Sequence, residues 1–526
     1  MNLSKMLSTA RSLIDLPNRW QVPLSPASYG LSLFLLALAL LWQNWSSTLI
    51  RNGDSAFFAI MARDLSAAPV HTWMRIDWKW DWYFYEKPPL ILWAEAATMR
   101  LIGARPEAAL LPTLIGSHLS VWLVYKMGKR LVNRDFGFVA ALILVLTPWF
   151  VKQSRDPLAE PLLMFFIALA LYWGMKIHRS WLFSLGGGFA LACAILTKGP
   201  PAFVVLPVLV VCYLTFPSTS LGEYLRSPRY WRECVARLPW RRLGLYLVVA
   251  AGVLSLAELW HFSLWSYSYW KRFFFQQIVP AIGDKEQSSR WMLKAGHFYY
   301  LQVLGKRYWP WLPVLLAGLV APWLVGREDP QRKALVRAWA FGLTQAGVLL
   351  LGFTFGVKRN SWYIYPCLIG FSLLTALAVY VFLRSRRGLY RYLVSGAFLL
   401  SIGIFILSAV APQVFKSHPR PKFSALARLG EEVRRQGIRL DVLQLPQGFR
   451  CPWFSYSQWN FAWAAQFYLD AESLTCAAKP KSVQLLDLRR DGPDKRDGSR
   501  TLAIAYPFAL VERRQSQGDA ERPQAR

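Results

Sequence analysis

The sequence has 526 residues, 54% of them hydrophobic and 15% aromatic, and its mean hydropathy is +0.25. This composition excludes an ordinary soluble domain and predicts several membrane spans. The formal net charge of +31 is high enough to suggest nucleic acid, but no nucleic-acid module or basic stripe with interleaved aromatic residues accompanies it. We interpret the charge as basic cytoplasmic loops that also attract anionic lipid headgroups, and we predict no nucleic-acid partner.

Apolar runs long enough to cross a bilayer, roughly 15 to 20 residues each, recur along most of the chain. The sequence therefore predicts a mainly α, polytopic helical membrane protein with about eleven transmembrane helices. The runs are at approximately 29–45, 108–125, 136–150, 161–175, 181–196, 201–216, 243–259, 309–325, 338–355, 362–382 and 392–411.

The loops predict the orientation, because Lys and Arg are retained on the cytoplasmic side of a membrane. Every second loop is short and basic; the first such loop contains Lys126, Lys129, Arg130 and Arg134. The N-terminal segment 1–28 is also basic and is predicted to be cytoplasmic and uncleaved, since no convincing signal-peptide cleavage site follows its long charged leader. An odd number of crossings then places the C-terminal part outside the bacterial plasma (inner) membrane.

Two outer loops, 46–107 and 260–308, are long. In the first, apolar residues of Gly53 to Leu65 recur at helical spacing, which predicts an amphipathic helix lying in the membrane interface, with Asp54 at its start. The adjacent Glu86 and Lys87 follow a run of Trp and Tyr residues and precede two prolines. Such a loop suits a substrate carried by a lipid.

The other outer segments also contain charged residues. The second loop has Arg155 and Asp156, the third has Lys198 in LTKGPP, and the fifth has Lys358, Arg359 and Tyr363 in GVKRNSWYIYP. If the predicted topology holds, carboxylates and cations converge on one face of the membrane. That face is the candidate active site.

This convergence has a chemical interpretation. Transfer of a sugar from a polyprenyl phosphate releases a phosphate, whose growing negative charge is stabilised by Lys, Arg or a divalent metal cation. A hydroxyl acceptor needs a carboxylate as general base. No nucleotide is predicted: the sequence has no Walker loop, and Gly186, Gly187 and Gly188 lie inside an apolar run, where close helix packing explains them better.

These motifs resemble a known family. Their order and spacing are similar to those of the bacterial lipid A aminoarabinose transferases and, more broadly, of the protein-mannosyltransferase-related (PMT) branch of the GT-C membrane glycosyltransferases. The motifs are Asp54, Glu86-Lys87-Pro88-Pro89-Leu90, Arg155-Asp156, Leu196-Thr197-Lys198-Gly199-Pro200, and Lys358 followed by Tyr363-Ile364-Tyr365-Pro366-Cys367. The resemblance covers about residues 30 to 415 and implies a GT-C transmembrane catalytic domain at 29–411.

The resemblance also implies roles for individual residues. Asp54 and Asp156 would be catalytic carboxylates, and Glu86 would be a metal-site residue. The lipid-linked donor phosphate would be held by Lys87, Arg155, Lys358, Arg359 and Tyr363.

The sequence departs from the family at two places. The family often has Asp-Glu in its first motif, with Arg and Tyr shortly after, whereas this chain has Asp54-Ser55-Ala56-Phe57-Phe58. Lys358 lies one residue further from Tyr363 than in the aminoarabinose enzymes, which leaves Arg359 as the alternative cation.

Simpler structural interpretations remain open for each charged residue. Asp54 and Asp156 are also suited to capping helices, the latter with Pro157 at a first helical position. Glu86 and Lys87 are compatible with an exposed ion pair. Lys198 is compatible with a side chain that reaches the interface. His261 and His297 fit hydrogen-bonded interfacial residues better than metal ligands.

The C-terminal region has lost the membrane composition. It is predicted to contain helices at 423–436 and 457–469 and strands at 440–445, 483–488 and 501–505, which together indicate a small extracytoplasmic α/β domain at 412–514. A disordered tail follows at 515–526. Cys451 and Cys476 lie in this outer region, where a disulfide is permitted, whereas the other four cysteines are predicted to be free.

The sequence thus predicts a glycosyltransferase that moves a sugar from a polyprenyl-phosphate donor to a lipid or glycan acceptor on the outer face. A protein O-mannosyltransferase-like enzyme, with a secreted polypeptide as acceptor, is the main alternative. A secondary transporter or flippase is a second alternative; the asymmetric first loop and the polar groups at one interface argue against it.

Overall fold

The structure is a computed structural model. It describes residues 26–43, 45, 50, 53–75, 77–78, 82–83, 87–215, 235–236, 238–266, 268–279, 298–326, 328–356, 359–384, 396–397, 400–401, 403–404, 407–408, 421–445, 462, 464–469, 471–475, 483–487, 500–505 and 508–512.

The helices are α1 (Pro26–Leu41), α2 (Gly53–Ala67), α3 (Leu90–Ile102), α4 (Pro106–Leu131), α5 (Arg134–Val145), α6 (Pro148–Ser154), α7 (Ala159–Gly174), α8 (Trp181–Lys198), α9 (Val205–Thr215), α10 (Trp240–Trp265), α11 (Tyr269–Phe273), α12 (Tyr299–Arg307), α13 (Leu312–Leu324), α14 (Arg332–Phe355), α15 (Leu368–Arg384) and α16 (Pro421–Arg435). Short 3₁₀ helices at Val70–Thr72, Pro200–Val204 and Ser361–Cys367 and a π-helical turn at Phe274–Ile278 complete the helical segments. The strands are β1 (Asp77–Trp78), β2 (Trp82–Tyr83), β3 (Leu440–Gln444), β4 (Ala471–Thr475), β5 (Val483–Asp487), β6 (Arg500–Ala505) and β7 (Phe508–Glu512).

The prediction of a mainly helical membrane protein is confirmed. Ten of the eleven predicted apolar runs coincide with helical segments, and the run at 392–411 lies mostly outside the described residues. Among the described residues, five helical segments are long and apolar enough to cross a membrane, or six if the bent pair α5 and α6 is one span. The count of eleven spans remains a prediction.

The chain divides into two compact units. The first comprises Met1–Trp45, Phe84–Ile91 and Pro112–Val414, and the second comprises Ser46–Tyr83, Leu92–Leu111 and Phe415–Arg526. The first contains most of the apolar helices, and the second contains α2 and the C-terminal sheet.

Glycines allow close helix packing in the first unit. A Cβ atom added at Gly188 of α8 would lie 2.2 Å from the carbonyl oxygen of Tyr246 on α10, and one at Gly187 would lie 2.3 Å from the ring of the same tyrosine. Any side chain at these positions would force the two helices apart. The prediction that these glycines serve helix packing is confirmed.

Helices α5 and α6 meet at an angle of 64°. Pro148 occupies the first position of α6. A helix does not use the N–H of its first residue, so the missing N–H of proline does not weaken α6. Helix α5 could continue through this position only by losing a backbone hydrogen bond, and it therefore ends before Pro148. Tyr365 supports the bend: its ring stacks on Phe150 at 6.3 Å and meets Trp149 edge-on at 5.7 Å. The bend therefore belongs to the packed interior.

The second unit contains a mixed five-stranded sheet in the order β4-β3-β5-β7-β6. Strand β3 pairs in parallel with β4 and β5, whereas β7 pairs antiparallel with β5 and β6. The predicted strands at 440–445, 483–488 and 501–505 and the helix at 423–436 are found, and β4 and β7 are additional.

Helix α2 differs from its prediction. Five consecutive residues, Phe58 to Ala62, are each at most 4% exposed, so the helix is buried all round and does not lie in the interface with one face exposed. Within the second unit, the backbone N–H of Ile50 donates to Tyr468 Oη at 2.7 Å, and Arg63 Nη1 donates to the carbonyl of Gln466 at 3.3 Å. The segment around α2 is thus held by the C-terminal region.

Candidate functional site

Segments predicted to lie on the outer side are joined by direct contacts within the first unit. Tyr269 Oη, at the start of α11, donates to the backbone carbonyl of Lys87 at 2.9 Å. About one helical turn further along this segment, Phe273 lies against Gly199 in the LTKGPP loop. The segments predicted as the first, third and fourth outer loops therefore contact one another.

A buried ion pair joins two further segments. Lys198 Nζ, at the end of α8, contacts Glu160 Oε1, in the first turn of α7, and the two side chains are only 10% and 8% exposed. Lys198 Nζ also lies 5.1 Å from the ring centroid of Tyr363, in the segment predicted as the fifth outer loop. The carboxylate and the aromatic face together compensate the positive charge of the buried lysine.

This pair changes the interpretation of Lys198. A lysine that merely reaches the interface would have its ammonium group in water or among headgroups, whereas this one is enclosed by Glu160 and Tyr363. The simple interfacial interpretation is therefore wrong. Glu160 was not singled out by sequence analysis, because it lies at the edge of an apolar run and 38 residues from its partner.

Gly199 fixes the chain direction directly after Lys198. Its φ of 75° and ψ of −122° are accessible essentially only to glycine, and its N–H donates to the carbonyl of Ile195 at 2.7 Å, which ends α8. A Cβ atom at this position would lie 3.0 Å from the ring of Phe273. The glycine therefore sets both the turn and the close approach of α11.

Arg155 has a structural environment. Its Nη2 donates to the carbonyl of Leu40, in the last turn of α1, and to Gln43 Oε1 at 3.1 Å. A cation at a helix C-terminus is favourable because it faces the negative end of the helix dipole. Burial lowers the pKa of the Arg155 guanidinium to about 10, so the side chain remains charged at neutral pH.

Asp156 lies in the same loop and is partly exposed. The alternative that it caps the following helix is wrong, because α7 begins at Ala159 with Leu158 at the N-cap position. The backbone N–H of Asp156 donates to the carbonyl of Gln153 at 3.2 Å, which continues the turn after α6. Its catalytic role stays a prediction.

Tyr363 and Arg359 lie in the segment after α14 that is predicted as the fifth outer loop. The ring of Tyr363 packs on Phe353 at 5.1 Å, and Arg359 Nη2 donates to the carbonyl of Thr354 at 3.2 Å. Asn360 Oδ1 caps the 3₁₀ helix by accepting from the N–H of Trp362. These contacts hold the loop against the end of α14.

The remaining predicted residues are placed as follows. Asp54 is exposed in the first turn of α2, in the second unit. Five of the residues considered in the sequence lie outside the described residues: Glu86, Lys358, His297, Cys451 and Cys476. Three cysteines are free thiols, as predicted: Cys193, Cys212 and Cys367.

His261 is buried, with its ring 5.3 Å from that of Tyr269. Within the described ranges no three His, Cys, Asp or Glu side chains gather as a metal-binding group, so the metal role of Glu86 stays a prediction.

Comparison with known proteins gives matches in sequence and in fold. Residues 86–236 match a family model described as dolichyl-phosphate-mannose-protein mannosyltransferase. The undecaprenyl phosphate-alpha-4-amino-4-deoxy-L-arabinose arabinosyl transferase 1 of Pseudomonas fluorescens is 26% identical over 340 residues, which are 62% of this chain and 53% of that protein. The aligned region thus spans about half the length of this curated relative.

Two solved structures share the fold. ArnT from Cupriavidus metallidurans, bound to undecaprenyl phosphate, superposes with a TM-score of 0.63 at 13% identity, over 93% of this chain and 98% of ArnT. The archaeal oligosaccharyltransferase AglB from Archaeoglobus fulgidus, in complex with an inhibitory peptide and a dolichol-phosphate, has a TM-score of 0.52 at 11% identity, over 85% of this chain and 64% of AglB. At these identities the likeness concerns the fold. Motifs, partial sequence matches and architecture agree: the chain is a multi-pass helical membrane protein that shares the fold of ArnT and is similar in sequence to the aminoarabinose transferases and, over residues 86–236, to the protein mannosyltransferases.

Proposed function

We propose that this protein transfers a sugar from a polyprenyl-phosphate donor to a lipid or glycan acceptor on the outer face of the plasma membrane. The observation that carries the proposal is the meeting of outer segments around Lys198, together with relatives named for transfer from undecaprenyl phosphate-linked aminoarabinose. The acceptor, the sugar and the side of the membrane are parts of this proposal.

The proposed reaction is a single displacement. An acceptor hydroxyl attacks the anomeric carbon, a new bond forms from that carbon to the acceptor oxygen, and the bond to the phosphate oxygen breaks, with inversion at the sugar carbon. The acceptor proton passes to a carboxylate, for which Asp54 is the candidate and Asp156 the second acidic residue. The polyprenyl phosphate leaves as an anion.

Cations would stabilise that leaving group. Lys87 is the first candidate, because Tyr269 holds its backbone carbonyl and so fixes the position of the residue. Arg359 and Tyr363 are further candidates from the fifth outer loop, with Lys358 as the alternative to Arg359. Glu86 is the candidate for binding a divalent metal cation, which would add positive charge at the phosphate.

Lys198 and Arg155 have different proposed roles. The charge of Lys198 is already compensated by Glu160, and that of Arg155 faces the C-terminus of α1. We assign Lys198 the positioning of Tyr363 and the loop that contains it. Arg155 donates to the Leu40 carbonyl and to Gln43. We therefore assign Arg155 the positioning of the loop that contains Asp156, rather than direct contact with the donor phosphate.

The decisive experiment compares transfer by three proteins. Membranes containing the wild type, Asp54→Asn or Asp64→Asn are supplied with isotopically labelled polyprenyl-phosphate sugars, and mass spectrometry identifies which lipid, glycan or protein gains mass. Asp64 is a matched control because it lies on the same helix and is paired with Arg63.

We expect transfer by the wild type and Asp64→Asn, and a loss of about 10²- to 10⁴-fold for Asp54→Asn, the range of a general base. Equal transfer by Asp54→Asn would remove Asp54 from the mechanism. Mass gain on no molecule with any sugar donor would contradict the proposed activity.

A protein O-mannosyltransferase is the second candidate, and the family model matched by residues 86–236 favours it. The same experiment separates the two. Label on Ser or Thr of a secreted polypeptide would establish the second candidate, and label on a lipid or glycan would establish the first.

A further inference from the structure

A membrane-facing groove lies between α1 and α4, away from the contacts described above. Helix α1 packs against α5 and leaves a cavity of about 500 Å³ towards α4. Gly30 forms one wall, where it touches the ring of Trp122 so closely that a Cβ atom would lie 2.9 Å away. Phe34 and His118 form another part, with ring centroids 4.6 Å apart.

The groove is open to the surroundings of the bundle, which in a membrane are lipid. Leu31 is 59% exposed, Phe34 50% and Trp122 38%. Trp122 and Tyr125 lie near the basic end of α4, and such aromatic residues mark the level of the headgroups. An apolar groove at this level is suited to an acyl chain.

Two lysines line the mouth of the groove. Lys126 Nζ lies 4.5 Å from the ring centroid of Trp122, and Lys129 is exposed one turn further along α4. In the described part of the chain neither lysine has a carboxylate within ion-pair distance. Asp135, on the neighbouring helix α5, instead accepts from Tyr29 Oη at 2.5 Å. The mouth of the groove therefore presents positive charge to an anionic headgroup.

His118 is the second, independent sign of a ligand. It lines the groove, is only 9% exposed, and neither ring nitrogen has a hydrogen-bond partner among the described residues. A buried imidazole without a partner is unfavourable, above all where no bulk water is present. It lies one helical turn deeper than Trp122, about 6 Å along the axis.

We propose that this groove binds an anionic diacyl phospholipid from the leaflet at the basic end of the bundle. The phosphate contacts Lys126 and Lys129, and the acyl chain fills the groove along Leu31 and Phe34. An ester carbonyl accepts a hydrogen bond from His118 once the imidazole ring turns a buried nitrogen towards the groove. The ester groups of a glycerophospholipid lie below its phosphate, and His118 lies deeper along α4 than Lys126, whose ammonium group folds back over Trp122, one helical turn from His118.

The same features distinguish this lipid from the proposed sugar donor. A polyprenyl phosphate has a phosphate and an apolar chain, but it has no ester carbonyl to satisfy His118. The lysines also belong to a predicted cytoplasmic loop, whereas the segments around Lys198 are predicted to lie outside. The groove is thus a separate site for a structural or regulatory lipid.

Native mass spectrometry of the purified full-length protein tests the proposal. Wild type and variants are titrated with phosphatidylglycerol and with phosphatidylcholine of the same acyl chains. We expect Lys126→Gln/Lys129→Gln to reduce the preference for phosphatidylglycerol by about 10- to 30-fold, as expected for two lysines near a headgroup. His118→Phe should weaken both lipids by about 3- to 10-fold, the range of one hydrogen bond.

A matched control removes two equivalent charges elsewhere. Arg241 and Lys333 are exposed and lie in other predicted cytoplasmic loops, so Arg241→Gln/Lys333→Gln should leave the lipid preference unchanged. If the two double variants reduced the preference for phosphatidylglycerol equally, net charge alone would explain the preference, and the proposed site would be wrong. Displacement of phosphatidylglycerol by inorganic phosphate, or a stronger affinity of the groove for a polyprenyl phosphate, would also overturn it.

The position of the lipid is tested by photolabelling. Phosphatidylglycerol with a diazirine in one acyl chain should label peptides of α1 and α4 in the wild type, and this labelling should fall in Lys126→Gln/Lys129→Gln. Labelling that is spread evenly over the apolar helices would contradict a defined groove.

Discussion

Two polar side chains that lie in apolar surroundings, Lys198 and His118, differ in the partners that the described residues give them. Both are about nine-tenths buried. Lys198 is enclosed by Glu160 and Tyr363 from two other segments, whereas His118 has no hydrogen-bond partner in the described part of the chain. Lys198 is thus compensated by protein groups where three segments meet, whereas the ring nitrogens of His118 are left for a lipid group where a groove opens to the surroundings of the bundle.

The largest expected effect is at Lys198. Lys198→Met would leave the Glu160 carboxylate buried without its partner, and we expect the free energy of unfolding to fall by about 3–5 kcal/mol. Lys198→Met/Glu160→Leu should recover most of this loss, because an apolar pair needs no compensating charge. Denaturant-induced unfolding in detergent micelles measures both.

Lys271→Met is the control, since Lys271 is exposed on α11, and its stability should match the wild type. If the double variant is no more stable than Lys198→Met, the pair is not the source of the loss.

A smaller effect is expected one residue later. Gly199→Ala would place a Cβ atom in a backbone conformation that other residues rarely adopt and 3.0 Å from the ring of Phe273, at a cost of about 1–3 kcal/mol. Gly252→Ala on α10 is the matched control, because a Cβ atom there meets nothing within 4 Å. Thermal unfolding should separate the two variants, and equal midpoints would refute the strain at Gly199.

The smallest effect is expected at His118. His118→Phe removes no hydrogen bond within the described residues, so the unfolding free energy in lipid-free detergent should change by less than about 1 kcal/mol. Gln345→Leu is the contrasting variant: Gln345 Nε2 donates to the carbonyl of Pro366 at 2.8 Å, and its Oε1 accepts from the N–H of Gly370 at 2.7 Å. Gln345→Leu should lower the free energy of unfolding by about 1–3 kcal/mol, since both backbone groups would be left without a hydrogen-bond partner. Similar losses for the two variants would mean that His118 has a partner in the folded protein.

Much of the transmembrane unit was predictable, because its helices are long apolar runs and their boundaries follow composition. The packing role of Gly187 and Gly188 followed from their place inside such a run. The contact between the Lys87 segment and Tyr269 is compatible with the predicted topology, which places both segments on one side of the membrane.

Other features depend on distant contacts that no local pattern encodes. Glu160 is one residue before a predicted span, and only the fold brings Lys198 to it. The burial of α2 is of the same kind, because Gln466 and Tyr468, which hold this segment, follow it by about 400 residues. The break after α5 had a local signal in Thr147-Pro148, but a hydropathy window averages over it.

The bend between α5 and α6 has a consequence for movement. Tyr365 Oη reaches the carbonyl of Phe150 at 3.4 Å, and its ring covers that of Phe150. The short helix α6, which precedes Arg155 and Asp156, is therefore held against the 3₁₀ helix Ser361–Cys367, which contains Tyr363. A displacement of one must therefore displace the other, so these two segments are expected to move as a single rigid element.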